Sequence, residues 1–149
     1  KKSIAVKFLE AMADEAARAN NPNTPPEWIA PRRYRDDTAN HLTRCIIDFI
    51  RLTGNQAERI ANTGHRIDTR YTFADVTGRS RTIGSSTIKG RSVKIEVKHG
   101  SDRQSEAQRA YQSQVQQAGG IYIVASSFEQ FLNWYNEKYV IEPSNTVKL

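Results

Sequence analysis

Ser92-Val93-Lys94-Ile95-Glu96-Val97-Lys98 alternates polar and apolar residues along its whole length. Because successive side chains of a β-strand point to opposite faces, this period of two predicts a strand whose buried face carries Val93, Ile95 and Val97. The polar residues then share the other face: Ser92, Lys94, Glu96 and Lys98. The pattern therefore places a carboxylate and a lysine together at the end of a strand, just before the loop Gly100-Ser101-Asp102.

The residues around this strand predict an α/β fold with a mixed central sheet flanked by helices and an N-terminal helical arm. Residues 1–36 are expected to form a helix, from Ser3 to about Arg18, and a Pro-rich arm in which Trp28 anchors the chain. Residues 37–149 are expected to form the main domain. Its first helix begins at Asp37 or Thr38 and ends near Thr53, before Gly54.

Two hairpins are expected in the middle of the chain. The first pairs 66–76 with 79–83 around Thr77-Gly78, and the second pairs 86–89 with 92–98 around Lys89-Gly90-Arg91. The apolar run Ile121–Ala125 is typical of a buried central strand, so the segment from Val93 to Ala125 should be a parallel β-α-β crossover.

Two further helices are predicted from their capping boxes, in which a serine is followed three residues later by a glutamine. The first begins at Ser105, runs to about Ala118 and should bury one face, formed by Ala107, Ala110, Tyr111, Val115 and Ala118. The second spans about Phe128–Tyr139, with Phe128, Phe131, Leu132 and Tyr135 in the core.

Charge and composition narrow the function classes. The net charge is +6, and residues 59–98 hold nine Lys and Arg against three acids, an excess equal to that of the whole chain. Such a concentration favours a polyanionic partner, although a basic surface without a partner has the same signature. The lone Cys45 lies in an apolar run and predicts a small buried side chain rather than a disulfide or a zinc site. No apolar run is long enough to span a membrane, and we expect a cytoplasmic protein.

Glu96 and Lys98 suit phosphodiester chemistry at a strand end. A carboxylate there can hold a divalent cation, and the cation lowers the pKa of a bound water and neutralises the scissile phosphate. A neighbouring lysine orients the water or stabilises the developing charge. The alternative is an ion pair between two residues on one strand face, without catalytic meaning. Gln108, about one turn into the following helix, is expected to reach the same point.

In this context Ser92–Trp134 resembles the PD-(D/E)xK nuclease superfamily, and within it the virus-type replication-repair nuclease (VRR-NUC) group. The matching motifs are Ile95-Glu96-Val97-Lys98, Ser105-Glu106-Ala107-Gln108 and Ala118-Gly119-Gly120 followed by Ile121–Ser126. The resemblance implies a restriction-endonuclease-like fold and a Mg²⁺- or Mn²⁺-dependent endonuclease. Its implied site has Glu96 as metal ligand, Val97 as backbone-carbonyl ligand, Lys98 at the water and Gln108 in support.

One element of the family pattern is missing, because the preceding strand, Gly84–Gly90, contains no aspartate. Three explanations remain open, of which we favour the third. Asp75 supplies the second carboxylate from the earlier hairpin; the domain is a degenerate nuclease that binds nucleic acid without cutting it; or a segment has been lost near Gly84-Ser85. A divalent cation bound by one carboxylate would be held poorly.

The expected function is hydrolysis of DNA in replication, recombination or repair, for example in a phage or mobile element. Five basic residues are predicted to contact phosphates, namely Arg59, Arg66, Lys89, Arg91 and Arg103. The resemblance also allows a homodimer, since related resolvase-like enzymes often act as dimers. The competing interpretations are a non-catalytic nucleic-acid-binding module on the same fold and a protein-interaction domain whose positive charge is incidental.

Overall fold

The computed structural model describes residues 1–59 and 81–139, without the side chains of 81–85. This part of the chain is mixed α/β, with four α-helices and a three-stranded sheet. The helices are α1 (Ile4–Ala19), α2 (Ala39–Leu52), α3 (Glu106–Gln117) and α4 (Phe128–Tyr139). The strands are β1 (Arg81–Ile88), β2 (Arg91–Val97) and β3 (Ile121–Ala125), and a short 3₁₀ turn covers Pro26–Trp28.

The helices begin where their capping residues stand in the sequence. Ser3, Thr38 and Ser105 each accept a hydrogen bond from a backbone N–H of the first turn, which satisfies a donor that has no partner within the helix. At the other end of α2, Gly54 adopts a φ of 80°, a left-handed conformation that costs glycine little. The predicted starts of these helices are therefore confirmed.

The sheet has the order β1-β2-β3, with β1 antiparallel and β3 parallel to β2. Lys89 and Gly90 have φ values of 47° and 77°, as a two-residue turn of type I′ requires, so the second predicted hairpin is confirmed at its turn. The β2-α3-β3 unit is the predicted parallel crossover. Val93, Ile95 and Val97 lie in the core as expected.

The expectation of two separate hairpin strands around residues 84 and 85 is wrong for the described residues. Residues 81–88 form one strand that pairs with β2 on both sides of a register shift between Ile83 and Ser86. A β-bulge of this kind absorbs extra residues without ending the strand. The predicted hairpin partner at residues 66–76 lies outside the described residues.

Strand β3 occupies an edge of the described sheet, not its centre as predicted. Its apolar sequence has another cause, because both faces of the strand are covered. Ile123 and Ala125 face the core that contains α4, whereas Tyr122 faces the side of the sheet that α3 covers. A continuous apolar run thus indicates that both faces of a strand are covered by other elements. It does not by itself determine whether the strand is central or at an edge of its sheet.

The main core lies between the sheet and the layer of α1, α2 and α4. Val6 and Leu9 of α1, Leu42 and Ile46 of α2 and Phe131 of α4 are all fully buried there. Helix α1 therefore packs into the same core as the sheet. Trp28, predicted to anchor the arm, is 77% exposed and does not do so. The arm is held instead by backbone hydrogen bonds to two carboxylates of α1 and by the buried Tyr34, whose hydroxyl donates to Asp48 of α2 at 2.9 Å.

Cys45 behaves as predicted. It is buried on α2, its thiol donates to the carbonyl of Arg35 at 3.1 Å, and burial raises its pKa to about 12. The thiol therefore stays protonated and packs as a small apolar group.

Within residues 1–59 and 81–139, no helix is long and apolar enough to cross a membrane.

Two backbone N–H groups of the arm that connects α1 to α2 donate hydrogen bonds to carboxylates of α1. The backbone N–H of Arg32 donates to Asp14 at 2.6 Å, and that of Tyr34 donates to Glu10 at 2.8 Å. Burial raises the pKa of Glu10, but the hydrogen bonds from Lys2 and from the Tyr34 amide, with the charges of Lys2 and Arg33, outweigh it. The pKa of Glu10 therefore lies below its usual value of 4.5.

The lowered pKa of Glu10 predicts how the stability of the fold changes at acid pH. A carboxyl group whose pKa is lower in the folded than in the unfolded chain stabilises the fold above its unfolded pKa, and this stabilisation is lost as the pH falls through its folded pKa. We expect Glu10→Gln to be less stable than the wild type at pH 7 and the difference to shrink below pH 4.5. Urea unfolding at both pH values measures this, with the exposed Glu15→Gln as the control. A difference independent of pH would contradict the assignment.

Candidate active site

The carboxylate of Glu96 is fully buried although it stands on the polar face of β2. Its Oε2 accepts two hydrogen bonds, one from the Tyr122 hydroxyl at 2.6 Å and one from the Gln104 side-chain amide at 2.9 Å. Tyr122 lies on the neighbouring strand β3, and Gln104 lies in the loop between β2 and α3. One oxygen of the carboxylate is thus held from two different elements.

The other oxygen of Glu96 faces Lys98. The Lys98 ammonium lies 3.1 Å from Oε1, and only 11% of the lysine side chain is exposed. The contact is an ion pair by distance, but its angles are not those of a hydrogen bond, and Oε1 has no hydrogen-bond donor. Oε1 is therefore a buried anionic oxygen with capacity for a further ligand.

Tyr122 is a permanent donor to this carboxylate. Burial raises its pKa far above the usual range, and the hydrogen bond to Glu96 and the negative charge of Glu96 raise it further. The hydroxyl therefore keeps its proton at neutral pH and well above it, and Oε2 keeps this partner there.

A second hydrogen bond fixes the direction of the Gln104 amide. Its nitrogen also donates to Oε1 of Gln112 at 3.0 Å, in addition to the bond to Glu96. Both neighbours are acceptors, so the NH₂ end of the amide, and not the oxygen, has to face them. Gln112 lies in the second turn of α3, and the network therefore ties the site to that helix.

Gln108 is placed differently from expectation. Its side-chain oxygen accepts from the Ser105 backbone N–H at 2.9 Å, while the Ser105 hydroxyl accepts from the Gln108 N–H. This capping box commits the Gln108 carbonyl to the start of α3 rather than to Glu96. Gln108 is also the buried residue of α3, whereas Ala107, Ala110 and Ala118, predicted to be buried, are exposed. The alanines did not identify the buried face of α3, because an alanine side chain is tolerated equally well in the core and in contact with water.

The predicted phosphate-binding residues do not form one surface. Arg103 is exposed in the loop that also carries Gln104, next to the site. Arg91 stands five residues before Glu96 on β2, which puts it about 16 Å away at the opposite end of the strand. Lys89, at the same hairpin, donates to the carbonyl of Tyr139 at 2.9 Å, at the end of α4.

The remaining two predicted phosphate-binding residues are Arg59 and Arg66. Arg59 is exposed, and its guanidinium donates to the side-chain carbonyl of Asn40 at 3.0 Å, near the start of α2. Arg66 and the predicted carboxylate donor Asp75 lie outside the described residues. Of the five basic residues, the structure brings Arg103 to the loop beside Glu96.

One side of this site carries an oxygen of the kind that a divalent cation binds. Glu96 offers a buried anionic oxygen that lacks a hydrogen-bond donor, and Val97 ends β2 with its side chain in the core. Mg²⁺ in nucleotide-processing sites is commonly held by one or two carboxylates together with water and substrate phosphates. However, no group of three or more His, Cys, Asp and Glu is arranged to hold a metal ion within residues 1–59 and 81–139. The described chain therefore supplies at most the minimum protein ligand set.

Sequence reasoning found Glu96 and Lys98 but missed Gln104 and Tyr122. Tyr122 lies in an apolar run, which by itself predicts a core residue, and its register beside Lys94, diagonal to Glu96, follows only from the β2-β3 pairing. Gln104 precedes the Ser105 cap in a polar loop and has no periodic neighbours. Both side chains can donate to a carboxylate, but other donors lie nearer to Glu96 in the sequence, so no sequence signal singles these two out.

Comparison with known proteins adds no relatives: no protein-family model, no curated protein and no solved structure matches this chain.

Proposed function

We propose that this chain is a metal-dependent nuclease that hydrolyses DNA phosphodiester bonds, on a fold of the restriction-endonuclease-like PD-(D/E)xK type. The observation that carries the proposal is the buried Glu96 carboxylate at the end of β2, with Oε2 held by protein donors and Oε1 beside Lys98. A buried carboxylate with one oxygen that lacks a hydrogen-bond donor, beside a lysine at a strand end, suits the chemistry at a phosphate.

Each residue would have a separate task. Glu96 Oε1 would be an anionic ligand of Mg²⁺ or Mn²⁺, and the Val97 carbonyl a neutral one. A bound cation supplies charge neutralisation at the phosphate and a water of lowered pKa. The Lys98 ammonium would stabilise the negative charge that develops on the phosphate oxygens, and it would orient the attacking water by hydrogen bonding. Arg103, exposed beside the site, would hold a flanking phosphate without reading sequence.

A second candidate function rests on a specific observation. Within the described residues, no group of three or more His, Cys, Asp and Glu is arranged to hold a metal ion, so the described ligand set is small. A degenerate nuclease domain that binds nucleic acid without cutting it would have this property. Such a domain would depend on its basic residues, and not on Glu96, for affinity.

Incubation of the wild-type chain with end-labelled single-stranded, duplex and branched DNA distinguishes the two. The nuclease proposal expects products with Mg²⁺ or Mn²⁺ and none with excess EDTA. A chain that binds these DNAs with a strong dependence on salt but yields no product with either metal would be the binding module. Asp75→Asn belongs in the same assay, since loss of cleavage there would identify Asp75 as a further carboxylate of the reaction.

A further inference from the structure

We infer that Gln104, oriented by Gln112, and Tyr122 are positioning residues that hold the Glu96 carboxylate so that only its Oε1 is offered to a cation and substrate. The inference rests on the proposed nuclease function and deepens it. It concerns residues of the loop, of α3 and of β3 that the sequence motifs leave without a role.

The geometry leaves the carboxylate little freedom. The donors to Oε2 come from β3 and from the loop before α3, at 2.6 and 2.9 Å, so a rotation of the carboxylate would break at least one of these bonds. The group is fully buried, so a lost donor would leave the carboxylate oxygen without its partner, which is costly. Both bonds are to an ionised acceptor, the stronger kind of hydrogen bond.

Gln112 adds a third member to this chain of contacts. The Gln104 nitrogen has two hydrogens, and both are used, one for Glu96 and one for Gln112. The Gln112 carbonyl thereby prevents the Gln104 amide from turning its oxygen toward Glu96, where two oxygens would repel each other. Orientation of the carboxylate is thus linked to the second turn of α3 through side chains alone.

Catalytic groups have to be held within fractions of an ångström, and partners that orient a metal ligand typically contribute ten- to a hundred-fold to affinity or rate. We therefore expect Gln104→Met and Tyr122→Phe each to lower kcat on the order of ten-fold, with the KM for DNA unchanged, and to weaken Mn²⁺ binding to the free protein similarly. Met and Phe keep the size of the side chains they replace. Matched controls are Gln114→Met, an exposed glutamine of α3, and Tyr111→Phe, whose ring packs against Tyr122.

The same substitution at two glutamines gives a sharper test. Gln104→Glu removes the donor and places a second carboxylate against Oε2, so kcat should fall at least as far as in Gln104→Met. Gln112 is needed only as an acceptor, and Gln112→Glu keeps an acceptor oxygen at the same reach. Gln112→Glu should therefore retain most of the activity that Gln112→Met loses. A role in stability alone predicts no such opposite response.

The measurements are kcat and KM for DNA cleavage, Mn²⁺ affinity by electron paramagnetic resonance without DNA, and Tm for each variant. Reduced kcat and Mn²⁺ affinity in folded Gln104 and Tyr122 variants, with both controls at wild-type values, support the inference. Cleavage by the wild type together with unchanged kcat and Mn²⁺ affinity in the Gln104 and Tyr122 variants overturns it and leaves the nuclease function intact. A wild type that cuts no DNA overturns both.

Discussion

Replacement of Lys98 by methionine should reduce DNA cleavage by about 10²–10⁴-fold, the range that a positioned proton-transfer or charge-stabilising group contributes. The Lys98 ammonium lies 3.1 Å from Glu96 Oε1, at the point where we place the reacting phosphate, and methionine keeps the length of the side chain but not its charge. Single-turnover cleavage of labelled duplex DNA in Mg²⁺ measures the loss.

Controls for Lys98 come from the same strand. Lys94→Met removes a lysine from the same face of β2, two residues before Glu96, and should leave the cleavage rate close to that of the wild type. Because Lys98→Met leaves the buried charge of Glu96 without its cation, the variant should have a lower Tm, and rates are compared well below that temperature. If Lys98→Met cuts as fast as Lys94→Met, Lys98 has no catalytic role.

The largest effect on stability should come from Phe49→Ala in α2. The Phe49 ring is 3% exposed and makes edge contacts with three rings of α4, at centroid distances of 5.8 Å to Phe128, 6.0 Å to Phe131 and 4.9 Å to Tyr135. Truncation of a buried phenylalanine costs about 3–5 kcal/mol. This is a large part of the roughly 5–15 kcal/mol by which a domain is stable.

Urea unfolding followed by circular dichroism measures the free energy of unfolding of Phe49→Ala. The matched control is Phe8→Ala on α1, the same substitution at a side chain that is 49% exposed, where we expect a change within about 0.5 kcal/mol. Equal losses at the two positions would mean that the contact of α2 with α4 does not carry the core.

Local signals in the sequence were sufficient for much of this fold. Thr38 and Ser105 mark helix starts because their side chains replace missing backbone partners, and Lys89-Gly90 marks a hairpin because both residues take a positive φ. The alternation around Glu96 gave the buried face of β2 correctly. These features depend on residues within a few positions of each other.

Predictions that needed knowledge of distant contacts failed or were missed. The apolar sequence of β3 does not distinguish a central strand from an edge strand covered on both faces, and the alanines of α3 do not identify its buried side. The bonds of Glu96 to Tyr122 and Gln104 join residues 26 and 8 positions apart, and no periodicity links them. The sequence therefore predicted the motif residues Glu96 and Lys98, but not the residues that hold the Glu96 carboxylate in place.

The central claim is that the Glu96 carboxylate acts in phosphodiester hydrolysis, and Glu96→Gln tests it most directly. Glutamine has the same shape as glutamate and can still accept from Tyr122 through its amide oxygen, but it lacks the negative charge. Cleavage of labelled DNA in Mg²⁺ by wild type and Glu96→Gln, at equal concentrations and with both shown to be folded, is the measurement. The account predicts cleavage by the wild type and none above background by Glu96→Gln; equal rates for the two proteins would contradict it.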